Sequence, residues 1–192
     1  MTATASEIEV KAQRAKAAAR RLATASTEAK NAALNGLADA LMAQQDEILA
    51  ANQRDTDRAR ADGLAATPLD RLTLTPDRLA AIAKDTRNVA SLPDPVGESI
   101  EMRTLPNGMM VGKMRVPFGV IGAIYENRPN VTVDIAALCL KAGSASILRG
   151  GKEALESNIV LGRIINASFA AAGIPDGAVQ IIESSDRAMI GE

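Results

Sequence analysis

Histidine and tryptophan are absent from the 192-residue chain, cysteine occurs once, and aromatic side chains make up 2% of it. Without His the chain holds no imidazole base, which excludes Ser-His-Asp and Cys-His arrangements within it and removes the commonest zinc ligand. One Cys excludes an internal disulfide and any multi-thiolate metal site. Lys and Arg (22) nearly balance Asp and Glu (23), for a formal net charge of −1. That balance leaves no footprint for a nucleic-acid backbone, and so few aromatics leave little on which bases could stack. No run approaches the ~18 consecutive apolar residues of a membrane span. The opening residues, Met1-Thr2-Ala3-Thr4-Ala5-Ser6-Glu7, lack a basic segment followed by an apolar one, so no secretory signal is read there. A cytoplasmic location is expected, with neither nucleic acid nor membrane as partner.

What the chain does have is apolar residues, 47% of the total, in two different patterns. Before Pro93-Asp94-Pro95 the composition is rich in Ala, Arg, Asp and Gln with apolar residues at helical spacing; after it come Val, Ile, Gly and short apolar runs. Ser6 followed by Glu9 fits a capping box and predicts a helix start. From Glu28 to Arg60, Leu34, Leu37, Leu41, Ile48 and Leu49 draw an apolar stripe on one helical face, ended by Gly63. Thr67-Pro68 and Thr75-Pro76 each put a capping hydroxyl before a proline, predicting two more helix starts. Residues 99–116 read as a β-hairpin around Pro106-Asn107-Gly108. It is either a protruding, subunit-bridging ribbon or a simple surface hairpin.

The remainder alternates strand and helix. Gly119–Tyr125 is a strand, Val131–Ala142 a helix, Ala145–Leu148 a strand, Glu153–Ala172 a helix and Ala178–Ile182 a strand, the repeating unit of a parallel sheet with right-handed crossovers. Ser184-Ser185-Asp186 then reads as the cap of a further helix cut short at Glu192. A three-stranded parallel sheet would leave long edges uncovered, so the chain is expected to be the N-terminal piece of a longer protein.

Candidate chemistry gathers in the loops after the first two of these strands, the edge at which open α/β sheets bind ligands. In Arg149-Gly150-Gly151-Lys152-Glu153 the glycines free the backbone to approach a phosphate, the following helix N-terminus offers unpaired N–H groups, and Arg149 and Lys152 add positive charge. It is not a Walker A loop, since Ser146 stands where the first Gly belongs and Glu153 replaces the magnesium-binding hydroxyl. A Gly-rich turn with solvated charges is the plainer reading. In Tyr125-Glu126-Asn127-Arg128-Pro129-Asn130-Val131-Thr132, Arg128 could pair with a phosphate or carboxylate and Asn130 could donate to a developing oxyanion. Asn130 or Thr132 could equally be a plain helix cap. Gly119 and Gly122 lie inside a strand rather than in the turn after it, so they do not make a dinucleotide fingerprint. Cys139 sits among apolar helical residues, which raises a thiol's pKa and hides it, and a buried structural thiol is expected.

Taken together, Gly112–Gly122, Tyr125–Thr132 and Leu148–Ala154, with Asp70-Arg71-Leu72 and Leu92–Gly97 upstream, resemble the gamma-glutamyl phosphate reductase family of the aldehyde dehydrogenase superfamily. The resemblance covers essentially the whole chain. It implies an α/β, aldehyde dehydrogenase-like fold: residues 1–97 as a helical part of the cofactor-binding domain, 98–116 as a hairpin used in oligomerisation, and 117–192 as the first half of a Rossmann-like sheet. It implies NADPH-dependent reduction of L-glutamyl 5-phosphate to the 5-semialdehyde and phosphate, the second step of proline synthesis from glutamate, in a homo-oligomer with functional coupling to glutamate 5-kinase. The family's nucleophilic cysteine would lie in a catalytic domain absent from this chain, Cys139 does not match it, and the chain alone is expected to be inactive.

By the same resemblance Arg128 and Asn130 would contact substrate, either of them serving the oxyanion. Tyr125, Glu126, Arg149, Gly150, Gly151 and Lys152 would bind the cofactor, with Arg149 and Lys152 suited to the 2′-phosphate; no metal is implied. Two alternatives stay open at this point: another aldehyde dehydrogenase, and a non-catalytic nucleotide-binding or scaffolding module.

Overall fold

The chain enters its first helix at a capping box: the Ser6 hydroxyl accepts from the Glu9 N–H at 3.2 Å, and the Glu9 carboxylate accepts from the Ser6 N–H at 3.1 Å. A computed structural model describes residues 6–184; the helix expected from Ser184-Ser185-Asp186 onward lies outside the described residues. Five helices come first, α1 (Glu7–Leu22), α2 (Thr27–Ala43), α3 (Gln45–Ala61), α4 (Ala66–Leu72) and α5 (Pro76–Ser91). A two-stranded antiparallel hairpin follows, β1 (Ser99–Thr104) and β2 (Met110–Met114). Then β3 (Val120–Ile124), α6 (Pro129–Lys141), β4 (Ala145–Arg149), a 3₁₀ turn at Lys152–Ala154, α7 (Leu155–Ala171) and β5 (Val179–Ile181) build a three-stranded parallel sheet in the order β3-β4-β5.

Two expectations about helices are corrected. The stripe from Glu28 to Arg60 is two helices, broken at Gln44 (φ −106°, ψ 23°), which ends α2 and begins α3. The seven-residue step from Leu41 to Ile48 spans two helical turns, so the apolar period runs through the break and hides it. Thr67 and Pro68 lie inside the first turn of α4, whose cap is Ala65 with no side-chain bond. Thr75 does cap α5, accepting from the Arg78 N–H at 3.2 Å with Pro76 at the first helical position.

The hairpin closes through Leu105 N–H to Met109 O (2.8 Å) and Gly108 N–H to Leu105 O (2.9 Å), with Gly108 at φ +82°. Only the glycine of the Asn-Gly pair is left-handed. Asn107 instead accepts from the Met109 N–H through its side chain at 3.1 Å. The register shifts between Ile100 and Arg103, where Glu101 takes φ +54°, as in a bulge.

One apolar core joins the helical segment to the sheet. Leu34, Leu37 and Leu41 of α2 are fully buried and pack against α5 and α7. Ala145 and Ser146, adjacent in β4 and therefore facing opposite ways, are both fully buried. α6 packs beside α7 over the sheet and α1 runs across all three strands, so the central strand is covered on both sides. This fixes the C-terminal edge of β3 and β4, where the loops of interest leave the sheet.

Candidate functional site

The register pairs Ile124 with Arg149, so the loops after β3 and β4 leave the sheet as neighbours. They are laced together: the Tyr125 N–H donates to Arg149 O at 3.0 Å and the Gly151 N–H to Glu126 O at 3.1 Å. The two glycines have a steric reason. A Cβ at Gly150 would come within 2.1 Å of Asn158 Nδ2 and 3.1 Å of the Tyr125 ring, and one at Gly151 would press on the Glu126 backbone at 3.3 Å. The freedom that the sequence assigns to ligand approach is used, at least in part, for loop-on-loop packing.

Behind the loops a buried relay fixes their base. The Tyr125 hydroxyl lies 2.6 Å from the Thr132 hydroxyl, which donates to Asn158 Oδ1 at 2.7 Å. Burial pushes the Tyr125 phenol up to about 12, against the opposing pull of the Thr132 bond. Thr132 is wholly buried in the first turn of α6 and does not cap it. The cap position belongs to Arg128, which makes no side-chain capping bond, and Pro129 takes the first helical position. Asn127 reaches away from the loop and donates to Pro68 O at 2.6 Å, docking α4 against the loop after β3.

The N-termini of the two crossover helices differ. Two of the expected free N–H groups after β4 are taken, because Asp55 of α3 is fully buried and accepts from the first turn of α7. Its carboxylate accepts from Ser157 N (2.8 Å), Ser157 Oγ (2.7 Å) and Glu156 N (3.3 Å). Burial raises the Asp55 pKa, and the Ser157 and Glu156 donors only partly offset it. Asn52, one turn earlier, donates to Leu72 O and Ser157 Oγ and accepts from the Leu74 N–H at 2.7 Å. Sequence reading misses this pair. The signal is present in the period, for Ile48, Ala51, Asn52, Asp55, Thr56 and Ala59 form the buried face of α3, putting an amide and a carboxylate where apolar residues belong.

Arg128 and Asn130 open into a cleft of about 370 Å³ between α4, α5 and the start of α6, shared with Arg71, Arg78, Asp85 and Asp134. Asn130 donates to Asp134 at 3.0 Å. Burial raises the Asp134 pKa, Asn130 opposes that, and the charge of Asp85 adds to it. Arg78 is tied to Asp70, through its side chain at 2.8 Å and its carbonyl, and to Thr73 O. Arg71 and Arg128 make no ion pair among the described residues. In the loop after β4, Lys152 is exposed and Arg149 half-buried. The predicted site residues thus leave one sheet edge, Arg128 and Asn130 lining the helical cleft, while Arg149 at the end of β4 and Lys152 at the start of the 3₁₀ turn are not part of that lining.

Cys139 is buried at 5% exposure, and burial pushes its thiol up to about 11, as its apolar surroundings predict. Among the described residues no group of three His, Cys, Asp or Glu side chains could hold a metal ion, and no helix is long and apolar enough to cross a membrane.

The description "Aldehyde dehydrogenase family" fits residues 1–192. Over 184 residues the chain is 55% identical to a gamma-glutamyl phosphate reductase of Dehalococcoides mccartyi (strain ATCC BAA-2266 / KCTC 15142 / 195), covering 96% of this chain and 43% of that protein. Over 179 residues it is 56% identical to the gamma-glutamyl phosphate reductase of Roseiflexus castenholzii, covering 92% and 42%. The solved gamma-glutamyl phosphate reductase of Thermotoga maritima superposes with a TM-score of 0.94 at 38% identity, over 96% of this chain and 45% of that one. An engineered glycolyl-CoA reductase with bound NADP+ shares the fold at a TM-score of 0.63 and 21% identity, over 94% of this chain and 38% of that one. The chain spans less than half the length of the curated relatives it matches.

Proposed function

Since the chain belongs to the aldehyde dehydrogenase family and carries its α/β fold, we propose that it is the cofactor-side portion of an NADPH-dependent enzyme reducing L-glutamyl 5-phosphate to the 5-semialdehyde and phosphate in proline biosynthesis. The observation that carries this reading is the pairing of Ile124 with Arg149. It sets a loop with an uncapped helix start and the Arg128 guanidinium, which has no ion pair among the described residues, beside a loop with two further cations.

Nicotinamide cofactors are the family's redox partners, and the residues here fit a phosphorylated one. Arg149 and Lys152 stand at the carboxyl end of β4 on a loop held by Gly150 and Gly151, and together they would bind the ribose 2′-phosphate. Asp55 repels an anion from the start of α7, so the cofactor's phosphates would be met by side chains there rather than by that helix end. Tyr125 and Glu126 would form the wall between cofactor and substrate. When bound, the cofactor supplies a hydride. Arg128 would hold the anionic acyl phosphate, and Asn130 or Arg128 would donate to the oxygen on which charge develops. Cys139, buried and with a raised pKa, is not the thiolate for covalent chemistry. The domains follow the same reading: 1–97 as helical support, 98–116 as an oligomerisation ribbon, and 117–192 as the start of the cofactor sheet. Met102, Met109, Met110 and Met114 are exposed on the ribbon, as suits contact with a second copy. Work in the cytoplasm, coupled to glutamate 5-kinase, belongs to the same proposal.

The test is titration of NADPH and NADH into the chain, followed by nicotinamide fluorescence. NADPH is expected to bind more tightly, and the double variant R149Q/K152Q to lose about tenfold for NADPH with little change for NADH. Equal affinities in the parent, or equal losses in the variant, would overturn the cofactor assignment. With L-glutamyl 5-phosphate and NADPH the chain alone is expected to give no turnover.

A further inference from the structure

Resting on the reading that the helical cleft receives the glutamyl substrate, we propose that Asp134, seconded by Asp85, recognises the substrate's α-ammonium group and that Arg71 takes its α-carboxylate. The cleft is about 370 Å³, within the range of small-molecule sites. Its charges are mixed, which suits a zwitterion better than a plain anion. Asp134 forms its half-buried floor, fixed by the Asn130 amide at 3.0 Å. Asp85 approaches from α5, and neither carboxylate has an ion-pair partner among the described residues. Two like charges sharing one cleft disfavour each other, and burial adds to the penalty on Asp134. An ammonium placed between them relieves both effects.

The basic side is divided in the same way. Arg78 is committed to Asp70 and to two backbone carbonyls. Arg71 on α4 and Arg128 at the mouth of α6 are the unpaired guanidiniums of the cleft among the described residues. Spacing along α6 assigns the two ends of the ligand. Asp134 lies one turn below Asn130, about 6 Å along the helix axis. The α-nitrogen and the δ-carbonyl carbon of a glutamyl group are four bonds apart, about 5 Å when extended. Because the Asn130 amide itself reaches Asp134 at 3.0 Å, an extended glutamyl group with its ammonium at Asp134 would carry its acyl carbon past that amide toward Arg128 at the start of α6. The head of the amino acid is read by the helices and its reacting end by the loop.

The experiment titrates the full 192-residue chain by calorimetry with three stable probes: L-glutamate, glutarate, which lacks the ammonium, and 4-aminobutyrate, which lacks the α-carboxylate. L-glutamate is expected to bind about tenfold more tightly than either. D134N should bring L-glutamate down to the glutarate level, and D85N, at an exposed position that does not threaten folding, should narrow the same gap. R71Q should erase the preference over 4-aminobutyrate while leaving that over glutarate. Failure of the parent to bind L-glutamate, equal binding of glutarate, or an unchanged preference in both D134N and D85N would overturn the assignment. Selection of L-glutamate without a preference for NADPH over NADH would defeat the cofactor reading and leave this one standing. NADPH preference with no selection among the three probes would do the reverse.

Discussion

Replacing Asp55 tests whether α7 and the loop before it are held by a carboxylate from another helix. Asp55 is fully buried and accepts three hydrogen bonds from the first turn of α7. D55A removes a capping interaction, about 1 kcal/mol. It also leaves the Ser157 N–H and hydroxyl hydrogen buried without an acceptor, about 1 to 3 kcal/mol more. A total near 3 kcal/mol corresponds to a drop in melting temperature of about 6 to 12 °C for a chain of this size. D55N keeps one acceptor oxygen and should lose about half as much. The pH dependence adds a second readout. Because burial raises the folded pKa above the ordinary 3.8, the folded state binds the proton more tightly than the unfolded one. The stability this group contributes is full below the ordinary value and is lost as pH rises through the raised one. Parent minus D55N stability should therefore fall from about pH 4 upward. Thermal melts of parent, D55A and D55N across that range decide the matter. A D55A loss under about 1 kcal/mol refutes the capping argument, and a difference that grows with pH would show that the Ser157 and Glu156 donors outweigh burial.

Two more perturbations address what is buried elsewhere. Asp94 accepts from Lys30 at 2.8 and 3.1 Å, from Thr27 at 2.8 Å and from Val96 N at 3.0 Å, while the Lys30 side chain is 1% exposed. D94A strands that ammonium and should cost about 3 to 5 kcal/mol, read by urea unfolding; a loss below about 1 kcal/mol would show that Lys30 escapes to water. Burial tends to raise the Asp94 pKa, but Lys30, Val96 and Thr27 outweigh it and hold the pKa down, so its stabilisation is present above the ordinary carboxylate value and disappears as pH falls through the lowered one. Cys139, with its thiol near 11, should react with iodoacetamide at pH 8 on the order of a hundredfold more slowly in the folded chain than in urea; comparable rates would mean that the thiol is exposed.

Elements whose period and punctuation agree are legible in the sequence alone. The strand-helix-strand-helix-strand order, the Ser6 and Thr75 caps and the hairpin turn rest on local rules, and the chain obeys them. The misses have two causes, an apolar period that hides a break and contacts that no local rule reads. The break at Gln44 is invisible to a periodic stripe. Thr132 has the residue type of a helix cap, yet it lies inside the first turn of α6 and its hydroxyl is engaged by Tyr125 and Asn158. The α7 start reads as open because its partner, Asp55, lies some 100 residues earlier in the chain. Gly150 and Gly151 stand out as a motif, but only the packing of Asn158 and Glu126 against them shows what a side chain there would strike.

The unequal treatment of two otherwise similar helices gives the sheet edge its direction. Both crossover helices aim their positive ends at the carboxyl edge of the sheet, and each would draw an anion by its dipole alone. Asp55 supplies a carboxylate to α7 from within the fold, so on the proposed cofactor reading selection beside β4 would fall to the side-chain cations Arg149 and Lys152. α6 has no such carboxylate at its first turn. Arg128 holds the cap position without capping it, Pro129 has no N–H to satisfy, and the first acid of the helix itself, Asp134, lies a turn further along and accepts from Asn130. On the proposed reading a diffusing anion would be favoured at α6 and at the side chains after β4, but not at the start of α7. Removing the carboxylate should move the preference: in a D55A background, anions such as inorganic phosphate gain a site at α7, and the NADPH preference assigned to Arg149 and Lys152 should diminish as the bare helix end begins to compete for the same phosphates.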